Sequence, residues 1–274
     1  MNRLPLEKQV QIIGMLVVGS SLRSTSRVCD VSINTVTKLL VDVGQACQLF
    51  HDDKVRGLPS KRVQLDEVWS FVYSKQDVPQ HLEGRACDVW TWTASDADSK
   101  LIVSWLAGNR DTATAHEFIA GVANRLANRI QLTTDGNRLY VDAVDNAFGA
   151  DVDYAMLVKR YGKPEGSTNE RPYSPAECTG AINIDIMGKP YGKHVSTSYM
   201  DRANLTMRMS MRRFTRLTNG FSKKIENHGY AIALHFVHYN FCKEHKSLNG
   251  LTPADAAGIY DGIMKIEDIV KLVR

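Results

Sequence analysis

The hydrophobic period of this chain changes at Arg62, and that change restricts its fold more than any other feature. Beyond it, Val63 to Tyr73 is rich in β-branched and aromatic residues and reads as a strand. Asp88 to Ala94 and Leu101 to Ala107 read as two more, around a turn at Asp96 to Lys100, giving an antiparallel meander. Asp111 then caps a helix over Thr112 to Ala127. A short strand, Ile130 to Thr134, runs straight into Asp135-Gly136; Tyr140 to Phe148 is a helix and Tyr154 to Tyr161 another strand. Gly162 to Thr197 reads as a loop, and a helix begins near Ser198. The order β-β-β-α-β-α-β-loop-α is that of an α/β domain, a mixed sheet flanked by helices, over residues 62–274.

Ahead of Arg62 the pattern is helical. Leu6, Val10, Ile13, Leu16 and Val17 keep helical spacing, and Gly19-Ser20 ends the run. Leu22 to Cys29 makes a second short helix; after a turn, Ser32 caps a third from Ile33 to about Val43. Two helices with so short a turn form a helix-turn-helix pattern, an all-α domain over residues 1–45. In that motif Asn34, Thr35, Thr37 and Lys38 would meet the major groove, and Arg23 and Arg27 the DNA backbone. The competing reading is a plain helical hairpin used for packing. Residues 46–61, ending in Gly57, Pro59 and Ser60, read as a linker.

Composition narrows the setting. With 43% hydrophobic and 23% charged residues, the 274-residue chain suits a soluble globular protein with a sizeable core. No apolar run reaches the roughly 20 residues that cross a bilayer, and the polar start lacks a signal-peptide centre, so the expected compartment is the cytoplasm. Five cysteines without a CxxC pair argue against a disulfide framework. Cys47 and His51 could give two metal ligands at helical spacing, but no second pair follows. The net charge of +4 decides little, whereas the basic run Arg202, Arg208, Arg212, Arg213, Arg216, Lys223 and Lys224 suits a polyanion.

Three acids stand out. Asp66 lies mid-strand, where Asp is disfavoured; Glu67 beside it points to the other face and reads as structural. Asp135-Gly136 follows a strand and, taken alone, is also ordinary turn chemistry. Asp201 opens a helix, where the dipole alone would favour an acid. The element order is similar to the ribonuclease H-like fold, in which the first strand, the end of the fourth and a late helix present carboxylates to one point. Asp66, Asp135 and Asp201 fall at those three places. Hard divalent cations want oxygen ligands, and two Mg²⁺ about 3.5–4 Å apart can activate an attacking oxygen and stabilise a departing one in phosphodiester cleavage.

The stretches QLDEVWSFVYSKQ (64–76), QLTTDG (131–136), YMDRANLTMRMSMRRFTRLTNGFSKK (199–224) and HFVHYNFCKEHKSLNGLTP (235–253) resemble transposases of the insertion-sequence-one type, DDE enzymes of the ribonuclease H-like superfamily. The resemblance implies an enzyme that binds double-stranded DNA at the ends of a mobile element, cuts it, and joins the freed 3′-OH to target DNA. It implies two Mg²⁺ (or Mn²⁺) ions on Asp66, Asp135 and Asp201, and paired ends held by a homo-oligomer. Asn204, Arg208 and Arg212 would share a helix face with Asp201 and, with Arg213 and Arg216, meet DNA. Asn240 and His245 match a recurrent tail pattern, structural or DNA-contacting. Two departures are visible: the family's third acid is typically Glu in a Glu-Arg-x-Asn context, here Asp201-Arg202-Ala203-Asn204, and the cysteine pairs of some relatives are absent. Mariner-type transposases do use Asp there. Glu226 is the rival third ligand. The competing functions are a non-catalytic DNA-binding regulator or decayed relic, and a metal-dependent nuclease without strand transfer.

Overall fold

The computed structural model describes residues 4–73, 87–162, 177–215 and 219–273. Three helices come first, α1 (Leu6–Val17), α2 (Leu22–Val28) and α3 (Ile33–Lys54). Then follow β1 (Arg62–Val72), β2 (Cys87–Asp96), β3 (Ile102–Gly108), α4 (Thr112–Ala123), β4 (Ile130–Thr134), α5 (Leu139–Phe148) and β5 (Val152–Gly162). The chain continues with β6 (Glu177–Met187), α6 (Ser198–Ser210), α7 (Ile225–Phe241), α8 (Pro253–Ala256) and α9 (Ile266–Lys271). None of these helices is long and apolar enough to cross a membrane.

The strands form one mixed sheet in the order β3-β2-β1-β4-β5-β6. β1, β2 and β3 make the expected antiparallel meander, β4 runs parallel to β1 and to β5, and β6 returns antiparallel along β5. The arrangement is consistent with the ribonuclease H-like expectation. Local chemistry sets the boundaries. Asp96 accepts from the Asp98 and Ser99 amides in the β2–β3 turn, Asp111 caps α4 at Thr114 N, and Ser32 caps α3 at Thr35 N. β1 stops where Tyr73 turns to positive φ (64°).

Two expectations need correction. The loop expected over 162–197 contains β6, whose Ile182, Ile184 and Ile186 alternate at strand period; Ile182 and Ile184 are exposed, so burial gives the strand no signature. The third helix, expected to end at about Val43, continues to Lys54 because Cys47 and His51 are buried on its inner face.

Helices cover both faces. On one, α4 and α5 pack over Trp92, which meets the rings of Phe118 and Tyr140. On the other lie α6 against β1, and α7 with α3 along the free edge of β3. There the buried Asn240 of α7 donates to the Ile102 carbonyl and accepts from its amide, both at 2.9 Å, replacing the strand that an edge lacks. His51 of α3 reaches the same carbonyl at 3.0 Å and packs on Trp105. A single apolar core runs from Ile12 of α1 through the sheet to Val270 of α9.

α3 and α7 pack closely at Gly44, where a Cβ would stand 2.5 Å from Tyr230 Cβ and its carbonyl oxygen. Gly44→Ala should therefore destabilise the fold by roughly 1–3 kcal/mol, because α3 and α7 must part. Gly14 of α1, with nothing within 4 Å of such a Cβ, should gain roughly 0.5–1 kcal/mol on the same substitution. Paired urea melts test the contrast, and equal effects at the two positions would refute this account of the packing.

Candidate active site

The backbone brings Asp66 and Asp135 together by letting β1 outrun its neighbour. β4 pairs with β1 only from Arg62 to Gln64 and ends at Thr134, so Asp135 emerges beside the unpaired side of β1 where Asp66 stands. The register of β1, β4 and β5 puts Gln64, Asp66, Thr133 and Asp135 on the face covered by α6. Asp135 Oδ1 accepts from Asn137 N at 3.0 Å, the turn chemistry expected of Asp-Gly, and that turn aims the carboxylate at Asp66.

Strand alternation directs Glu67 to the opposite face, toward α5. There Asn137 Nδ2 donates to Glu67 Oε1 at 2.5 Å, and Arg110 lies 3.7 Å from Oε2. With β4 ended, no strand separates the faces at this point, and the longer Glu67 arm curls round. Carboxylate oxygens of Asp66, Glu67 and Asp135 all lie within 4.8 Å of one another, so these three could hold a metal ion. Sequence reasoning treated Glu67 as structural because alternation was its only signal. The early end of β4 at Asp135 was the clue to its place.

Burial and mutual repulsion raise all three acids. Asp66 is pushed up to about 7, first by burial and then by the Asp135 charge, against the hydrogen bond from Glu67 N. Glu67 rises through burial and Asp135, with Asn137 opposing. Asp135 rises through burial, opposed by Asn137 N, Arg110 and Lys159. The Tyr140 hydroxyl, wholly buried, is directed at the Glu67 carboxylate, and the Thr93 hydroxyl, cross-strand from Asp66, is buried without a hydrogen-bond partner. An all-oxygen donor set with raised proton affinity fits a hard divalent cation such as Mg²⁺ or Mn²⁺.

α6 is fastened over this point by polar bonds. Its first turn lacks a local cap; Gln64 Oε1 accepts instead from Tyr199 N (3.0 Å) and Met200 N (3.4 Å). One turn on, Asn204 is buried and donates to Asp66 Oδ2 at 2.7 Å. Asp201 lies in the first turn, half-exposed, with Oδ2 paired to Lys159 Nζ at 2.6 Å; its charge reaches Asp66 and Asp135, though it stands outside the group of three. Glu226, in the first turn of α7, is exposed and also outside it.

The basic residues part company. Arg208 is exposed on α6. α6 ends at Ser210, so Arg212 lies on a 3-10 turn, not on the helix face expected for it. Arg213 turns inward and donates to Ser222 Oγ and the Asn227 carbonyl. Arg216 lies outside the described residues. In the amino-terminal helices Arg23, Arg27, Asn34 and Lys38 are exposed; Thr35 shares its hydroxyl with Ser32, Thr37 bonds the Ile33 carbonyl, and Lys38 pairs with Asp42. Arg23, Asn34 and Thr37 line a cavity of about 790 Å³ together with Arg212, Arg213 and Lys223. His245 stacks on Tyr239, and Asn240 is the buried clamp on β3.

The sequence matches no family model and no curated protein. Among solved structures the chain is similar to a piggyBac transposase synaptic complex with hairpin DNA: 11% identity, 99% of this chain and 71% of that chain covered, TM-score 0.44. It is similar also to a Mos1 transposase paired-end complex with the left transposon end (10% identity, 56% of this chain and 60% of that one, TM-score 0.23). A pre-cleavage Mos1 transpososome matches at 7% identity over 87% of this chain and 79% of that one, TM-score 0.27. The fold and site described above rest on the strand order, register and side-chain geometry of this chain alone.

Proposed function

We propose that this chain is a DDE-type DNA transposase of the ribonuclease H-like kind, as its resemblance to the insertion-sequence-one type implies. It binds the ends of a mobile element, cleaves a phosphodiester bond and joins the 3′-OH to target DNA. The observation that carries this reading is the meeting of Asp66, within β1, and Asp135, where the adjacent parallel β4 ends, beneath a helix that carries Asp201 in its first turn. Asp66 and Asp135 are the central ligands, Glu67 adds a third carboxylate on one side, and Asp201 completes the site on the other. When bound, two Mg²⁺ or Mn²⁺ ions would supply activation of the attacking oxygen and stabilisation of the leaving one.

The chain's own groups do the rest. Asn204 and Asn137 hold the carboxylates of Asp66 and Glu67 in place. Arg208 on α6 and Arg212 just after it meet DNA phosphates, a role that the sequence extends to Arg216, and Arg213 braces the same segment. Residues 1–45 act as a helix-turn-helix reader, with Asn34, Thr35, Thr37 and Lys38 toward bases and Arg23 and Arg27 toward the backbone. Residues 46–61 connect it to the catalytic part at 62–274, and paired ends call for a homo-oligomer. The cavity shared by Arg23, Asn34 and Arg212 supports a single DNA path over both parts.

An assay with paired end DNA, Mg²⁺ or Mn²⁺ and a target plasmid decides among the functions. Joined products mark the transposase, cleavage alone a nuclease, binding alone a regulator. Asp66→Ala should lower cleavage by about a thousandfold or more while leaving end binding intact; undiminished cleavage would remove Asp66 from the site. Asp201→Glu restores the family's usual acid and should keep or raise activity. Complete loss would show a backbone adjusted to the shorter arm.

The raised Asp66 adds a pH signature. A metal ion must displace its proton, so Mn²⁺ affinity should climb by about tenfold per pH unit up to about 7 and then level off. In the metal-free chain the sign reverses. Asp66 holds its proton more tightly folded than unfolded, so its contribution to stability is full below pH 3.8 and is lost as pH rises through about 7. Calorimetric titrations and melts between pH 5 and pH 8.5 would expose either sign error.

A further inference from the structure

We infer that Lys159 is a resident cation of this site: it holds Asp201 while no metal is bound, and yields Asp201 to the divalent ion when one binds. The inference rests on the metal-site reading above and deepens it. Lys159 belongs to β5, and the β4–β5 register carries its side chain to the sheet face that bears Asp66 and Asp135. Its ammonium lies 2.6 Å from Asp201 Oδ2, with the Lys159 side chain 23% exposed and that of Asp201 50% exposed. Its charge is felt by Asp135, and that of Asp66 by Lys159.

Charge accounting supports the role. Asp66, Glu67 and Asp135 bring three negative charges to one point when ionised, with that of Asp201 close by, and Arg110 and Lys159 are the cations that the described structure sets against them. Arg110 attends Glu67 at 3.7 Å and stacks on Trp90, so it is fixed on the α5 side. Among the described residues, Lys159 is the cation that pairs with Asp201. A divalent ion drawing on Asp201 must either displace the ammonium or sit beside a like charge. A flexible four-carbon stem lets Lys159 swing aside without moving the sheet. Asp201 reaches from α6 with one methylene fewer than Glu, so a partner that holds its carboxylate in the metal-free state also selects where that short arm points. Released, the ammonium remains at the mouth of the site, next to where a phosphate would lie. Lys159 is thus a positioning residue for the third carboxylate.

Mn²⁺ binding to the full chain without DNA, followed by the electron paramagnetic resonance of the free ion, tests this directly. Lys159→Met should bind Mn²⁺ tighter by roughly tenfold, since the ammonium no longer competes with the ion for Asp201 and no longer repels it. Lys159→Arg should stay near the wild-type value, and in an Asp201→Asn background, where only the repulsion remains, the gain from Lys159→Met should be clearly smaller. Circular dichroism melts verify that each variant is folded. Unchanged or weaker Mn²⁺ binding in folded Lys159→Met, or a gain just as large without Asp201, overturns the inference. The Asp66→Ala control separates the two readings. If it abolishes Mn²⁺ binding while Lys159→Met changes nothing, the metal site stands and the role of Lys159 falls. If wild-type binding does not depend on Asp66, both fall.

Discussion

Asp66 and Asp135 repel each other where β4 ends beside β1, and much of the structure around them answers that repulsion. Burial makes it worse, since each charge loses water that would screen its neighbour. The answers are local and specific. Asn204 gives an amide hydrogen to Asp66, Glu67 N gives another, Asn137 serves both Asp135 and Glu67, and Arg110 and Lys159 stand at the two sides. These groups come from α6, β1, the β4–α5 turn, the β3–α4 connection and β5, so the elements that surround the site are also tied to it. Such a cluster is poor in stability terms and makes sense as a place prepared for positive charge.

Holding it needs a stiff β1, and the far end of that strand is braced by a polar chain with a definite direction. Ser70 Oγ donates to the Val89 carbonyl, so His228 Nε2, at 3.1 Å, must donate to Ser70. Burial, with the Arg213 charge, lowers His228 to about 3, so the ring is neutral with its proton on Nε2. Its Nδ1 therefore accepts from Ser222 Oγ at 3.2 Å, which in turn accepts from Arg213. The chain stitches β1, α7 and the basic segment after α6 into one unit, and Tyr73 N adds a backbone bond to the Ser222 carbonyl. Arg213 reads as a DNA contact in sequence because its neighbours are basic; in the fold its guanidinium closes this brace.

Sequence legibility followed the strength of local signals. The meander, the strand into Asp135 and the helix at Ser198 were readable because each carries its own periodicity or cap. Asp66 was readable because an acid inside a strand has few bland explanations. Glu67 was not, since alternation describes a strand with neighbours on both sides and fails where one neighbour stops. β6 was hidden because Ile182 and Ile184 are exposed and only its last residues, Ile186 and Met187, pack on the core, so most of the strand lacks the contrast that marks strands. Asn240 reads in sequence as structural or DNA-contacting, and only the three-dimensional edge of β3 explains a buried amide that pairs with both polar atoms of Ile102. The common cause is that these features depend on what ends or lies beside an element, which its own residues do not encode.

The position of α6 decides how the short third acid is used. The underside of the helix is Met200, Ala203 and Met207, buried side chains of which two are unbranched and adaptable. Packing of that kind tolerates a small slide of the helix over β1. Gln64 at the first turn and Asn204 on Asp66 do not, since each is a directional bond to a fixed strand. A shift toward the metal site large enough to replace one methylene would stretch both bonds. The adjustable parts are therefore the side chains of Asp201 and Lys159, which are partly exposed and, among the described residues, form an ion pair with each other. The direction of the Asp201 carboxylate is set there, in one ion pair between a sheet lysine and a helix aspartate, and not in the placement of the helix.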